Sequence, residues 1–68
     1  MKYDLRVLEG HNVKILCNNG KTFVGYASDY IFPDDNDDNI ESIIIELEEN
    51  GALIELKQTV IKSITIIK

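Results

Sequence analysis

Side chains able to do chemistry are few in this chain and far apart. His11 and Cys17 are the single histidine and the single cysteine. A thiolate nucleophile needs a base beside it, and structural zinc needs four nitrogen or sulfur donors, so two residues fall short of either task. Cys17 also continues the alternation of Val13 and Ile15, which reads as a thiol packed as a small hydrophobe. The other conspicuous group is the string IFPDDNDDNIES, residues 31–42, with Asp34, Asp35, Asp37 and Asp38 beside Asn36 and Asn39. A calcium loop needs oxygen ligands at alternating positions, glycine at the sixth and a bidentate glutamate at the twelfth. Counted from Asp35, the register supplies Asp37, Asn39 and, beyond the string, Glu46, but Ile40 takes the glycine position and Glu46 falls within a strand pattern. The string therefore reads as a solvated connection between strands, and weak binding of divalent ions is expected because a cation relieves the repulsion among its carboxylates. Neither a glycine-rich phosphate loop nor a catalytic carboxylate pair is present in the sequence. No catalytic residue, metal ligand or cofactor is assigned, and the chain reads as non-enzymatic.

Binding chemistry is the remaining route to function. Aromatic side chains stack on nucleobases and lysines displace phosphate counterions. Tyr26, Asp29, Tyr30, Lys57 and Lys62 are the candidate contacts with RNA or with a protein partner. The formal net charge of −5 opposes phosphate, yet six of the twelve acids (Asp29, Asp34, Asp35, Asp37, Asp38 and Glu41) fall in one stretch without a base. The rest of the chain holds seven bases against six acids, a net of +1. Lys14, Lys21, Lys57 and Lys62 are scattered, however, and the aromatics Tyr30 and Phe32 run directly into the aspartates. Solvated lysines and an aromatic pin for the loop are the simpler reading.

These residues must be positioned by strands. VKILC, residues 13–17, alternates with period two, and NNG supplies a turn where Gly20 tolerates positive φ. TFVGYASD, residues 22–29, is a second strand in which Gly25 marks a bulge, or a bend where backbones approach closely. Residues 42–48 form a third strand, with Ile43, Ile45 and Leu47 alternating against Ile44, Glu46 and Glu48; Asn50 and Gly51 then turn the chain. ALIELK and SITIIK are strands four and five, with at most one helical turn between them. Ile44, Ile54 and Ile67 fall off the inward alternation and suggest a partner surface. Tyr3, Leu5 and Leu8 fit one side of a short N-terminal helix capping an open barrel end. Short strands joined by turns, with no helix long enough to cover a sheet, predict an all-β barrel.

One segment carries a family resemblance. GHNVKILCNNGKTFVG, residues 10–25, resembles the first motif of the Sm-like family: glycine, the apolar positions Val13, Ile15 and Cys17, then Asn19-Gly20-Lys21, Phe23 and Gly25. LIELKQTVIKSITII is similar in layout to that family's fourth strand, turn and fifth strand. The resemblance implies a strongly bent five-stranded antiparallel barrel with a short N-terminal helix. It also implies six- or seven-membered rings built by pairing strand four of one subunit with strand five of the next, and RNA around the pore. The RNA motif itself departs from the pattern. Asp29 arrives two places early, Tyr30-Ile31-Phe32-Pro33 stands where the aromatic-Met-Asn triplet is expected, and residues 56–60 carry neither Arg-Gly nor Lys-His.

At 68 residues one domain, 1–68, is expected, near the size where a core alone supplies ~3–5 kcal/mol. A lone cysteine allows no intrachain disulfide and suits a reducing cytoplasm. No signal peptide or membrane span is read. The expectation is a self-associating, non-catalytic Sm-like barrel acting as an assembly or protein-binding module. The alternative is an RNA-binding Sm-like protein with a non-standard site.

Overall fold

The computed structural model describes residues 5–67. They form one antiparallel sheet of five strands: β1 (Asn12–Cys17), β2 (Thr22–Ile31), β3 (Ser42–Leu47), β4 (Leu53–Lys57) and β5 (Ile61–Ile66). The order across the sheet is β4-β3-β2-β1-β5. Each neighbour in sequence is a neighbour in space except β5, which crosses over to pair with β1. The Cα radius of gyration, 11.0 Å, is that of a compact chain of this length, about 11 Å.

Side chains directly opposite in an antiparallel ladder share a face, so the register shows which residues look inward. Ile54, Ile45 and Ala27 form one inward row, and Leu56, Ile43 and Tyr30 another. On the other half, Ile15 lies between Phe23 and Ile64. Leu5, Val13, Ile15, Ala27, Ile43 and Ile45 are fully buried, and all five strands contribute to the same cluster. Ile54 therefore belongs to the inward set, packed against this core and not set apart from it. Ile44, opposite Asp29 and Glu55, does face outward.

The first described element is a 3-10 turn, Leu5–Leu8. Leu5 and Leu8 are buried as their spacing predicts; Tyr3 lies outside the described residues. A turn suffices because four residues fix two leucines over the core, and β1 follows closely. The Asn19-Gly20 and Asn50-Gly51 turns are built as their sequences predict. Gly20 and Gly51 have φ of 90° and 73°, and each preceding asparagine side chain accepts a hydrogen bond from the backbone two residues on.

Gly25 is a point of close backbone approach, as its place in β2 suggested. A Cβ there would overlap the Glu46 carbonyl and come within 2.8 Å of the Ile45 side chain. The register shift lies further along, between Ala27 and Asp29. It explains why β2 outruns its expected end at Asp29. Ala27 and Tyr30 are three apart, so strict alternation would send Tyr30 outward; the extra residue, Ser28, restores it to the core side. The Ser28 hydroxyl lies 3.4 Å from the Ile44 carbonyl, across the bulge. The same device operates on β5, where the ladder steps from Leu16–Ser63 to Cys17–Ile61 and leaves Lys62 as the extra residue.

Candidate functional site

The connection between β2 and β3, residues 32–41, is tied down at several points. Pro33–Asp35 forms a 3-10 turn, with Pro33 at a position where a missing N–H costs nothing. Asn39 takes φ of 58°, a left-handed conformation that asparagine tolerates better than most residues. The Asn36 carboxamide donates to the Ile40 carbonyl at 2.7 Å and to the Ser42 hydroxyl at 3.2 Å. Ser42 in turn donates to Glu55 Oε2 at 2.6 Å, reaching the edge strand β4. Ser42 shares its row with Lys57 and Ile31 and is nevertheless completely buried, because the loop folds back over it. A buried hydroxyl with both partners supplied is a structural group, held away from any substrate.

Two further contacts dock the loop. The Tyr30 hydroxyl donates to Glu41 Oε1 at 2.6 Å, and the Tyr30 and Phe32 rings meet edge to face with centroids 4.9 Å apart. Lys57 Nζ lies 2.9 Å from Asp38 Oδ2, and Asp38 Oδ1 accepts from the Ile40 N–H at 3.1 Å. The hydrogen bond from Lys57, helped by that from Ile40, holds the Asp38 carboxyl below its ordinary range. Among the described residues, no group of three or more His, Cys, Asp and Glu side chains is arranged to hold a metal ion. The aspartates of the loop are spread along it, and Asp38 is engaged with a lysine.

The residues singled out for RNA or partner contact do not converge. Tyr26 lies near the β1 start, on the outward row with Asn12, Glu46 and Leu53. Asp29 is exposed beside Ile44, whereas Tyr30 packs inward and its hydroxyl is bonded to Glu41. Lys57 is paired with Asp38 on one edge strand, and Lys62 sits at the bulge of the other. A depression of about 400 Å³ between the loop and the β4–β5 turn is lined by Pro33, Asn39, Ile40, Glu41, Gln58 and Thr59. Its one charged side chain is an acid, which repels phosphate. His11 and Cys17 bracket β1, six residues apart along an extended strand, roughly 20 Å, too far for one to activate the other.

The sequence reading missed the Asn36–Ser42–Glu55 chain of hydrogen bonds. Its one visible signal was a small hydroxyl residue opening an isoleucine-rich strand directly after a polar loop.

The two edges of the sheet are the other notable surface. Among the described residues, β4 and β5 each have one side without a strand partner. Leu53 on β4 is 66% exposed, Ile66 on β5 is 48% exposed, and Ile67 just beyond is also exposed. A three-residue 3-10 turn, Gln58–Val60, joins the two edge strands. No helix among the described residues is long and apolar enough to cross a membrane. Compared with known proteins, the chain matches no family model, no curated protein and no solved structure.

Proposed function

We propose that the chain is a non-catalytic Sm-like barrel that serves as an assembly or protein-binding module and self-associates through β4 and β5. The observation that carries this reading is the pair of open edges with exposed Leu53, Ile66 and Ile67. An unpaired strand edge is a template for another strand unless charge, proline or a covering segment blunts it. Barrel curvature is supported by one core drawing on all five strands, and by Leu56 of β4 and Cys17 of β1 lining a common depression.

The charges favour pairing of unlike edges. Two β4 strands meeting antiparallel about their midpoint would set Glu55 against Glu55, a like-charge pair that destabilises a ladder. β4 against β5 of a second copy opposes no like charges when Ile54 meets Ile66 and Leu56 meets Ile64. That contact is head-to-tail and generates a closed ring or a filament. The RNA-binding alternative has less support, because Lys57 is already neutralised by Asp38 and the aromatic and basic candidates lie apart.

Light scattering on a sizing column at micromolar concentration tests the proposal. The expected mass is a multiple of the chain, reduced to one chain by Leu53→Lys or Ile66→Lys with the circular dichroism unchanged. A lone chain for the unmodified protein overturns self-association.

A further inference from the structure

The geometry points to a binding site for a small aromatic anion at the mouth formed by the β1–β2 turn and the β4–β5 turn. The depression there has a volume of about 360 Å³, within the range of small-molecule sites. Its lining is largely apolar: Phe23, Leu56 and the nearly buried Cys17, with the exposed Val60 at its side. Its rim carries Asn19 and Lys21.

The walls are stapled to each other before any ligand arrives. The Asn18 N–H donates to the Val60 carbonyl, and its side-chain amide donates to the Thr59 carbonyl, both at 2.9 Å. These bonds tie together two turns that are 41 residues apart in sequence, beside the depression they line. A preformed site loses less affinity to ordering on binding.

The rim selects charge. Lys21 is exposed and pairs with no carboxylate among the described residues, in a chain whose net charge is −5. The Asn19 carboxamide oxygen accepts from the Lys21 N–H at 3.0 Å, which leaves its NH₂ to donate outward. An ammonium and an amide donor beside an apolar lining match a ligand with a flat ring body and one acidic group. This inference does not rest on self-association: Leu56 of the edge strand β4 lines the depression, but the exposed Leu53 and Ile66 that carry the association reading do not.

Two dyes of the same ring skeleton test it on the full chain: anionic 8-anilinonaphthalene-1-sulfonate and neutral N-phenyl-1-naphthylamine. The expected result is saturable binding, with amide NMR shifts centred on Asn19, Lys21, Phe23 and Val60. The anion should bind at least about fivefold tighter despite the acidic chain. Lys21→Gln, at an exposed position, should erase that preference and leave the neutral dye unchanged; Val60→Asp should weaken both. Equal binding of the two dyes, indifference to Lys21→Gln, shifts centred on Leu53 or Ile66, or no saturable binding would each overturn the assignment.

Discussion

Single residues in this chain act through backbone proximity and local charge. Gly25 is the clearest case, because the carbonyl of Glu46 and the side chain of Ile45 occupy the space a Cβ would need. Backbone cannot swing aside as a flexible side chain does, so Gly25→Ala should destabilise by about 1–3 kcal/mol, read from urea unfolding. An unchanged midpoint would show that β2 and β3 can separate there without loss. Asp38 makes a prediction of a different kind. Its folded carboxyl titrates below the ordinary value because Lys57 and the Ile40 N–H favour the charged form. A depressed acid contributes stability above its unfolded pKa, and that contribution disappears as pH falls through the folded one. The contact is solvent-exposed and therefore small. NMR titration of the Asp38 carboxyl should give a midpoint below that of an unstructured peptide, and Lys57→Gln should move it back up; a midpoint insensitive to Lys57 would remove the ion pair from the account.

At the scale of elements, legibility followed periodicity. β1 was readable because Val13, Ile15 and Cys17 keep strict alternation and all three are buried. Both asparagine-glycine turns were readable because turn chemistry is local. The end of β2 was not, since the Ser28 bulge changes the period from two to three between Ala27 and Tyr30, and only the ladder with β3 reveals it. β5 hid its start in the same way: Ile61 and Ile64 both pair inward across the Lys62 step. Ile54 was misread for a related reason, as its neighbour Leu53 is equally apolar and nothing local says which of the two faces the core. The candidate site was less legible than the fold. The acidic loop was visible as a charge run, but its attachment depends on Asn36 reaching Ser42 and Asp38 reaching Lys57, contacts set by tertiary placement. The depression joins turns distant in sequence, so no motif announces it.

For the whole molecule, size is the governing constraint. Among the described residues about ten apolar side chains are buried, a core that leaves little margin, and association is one way to enlarge it. If the edges pair, the folded form is linked to concentration by mass action. The melting temperature should then rise on going from micromolar to near-millimolar chain, and Ile66→Lys should make it independent of concentration. A melting temperature that is flat for the unmodified protein would count against the association read from the edges.

The ladder between β1 and β5 has a consequence for how the molecule comes into being. The sheet's earliest strand waits for its latest: Val13 meets Ile66 and Ile15 meets Ile64. During synthesis the ribosome must therefore release nearly all of these residues before β1 gains its second neighbour. Until then the Val13–Ile15–Cys17 face is covered from one side alone, and a nascent chain stalled short of Ile61 should engage holding chaperones that the finished protein ignores.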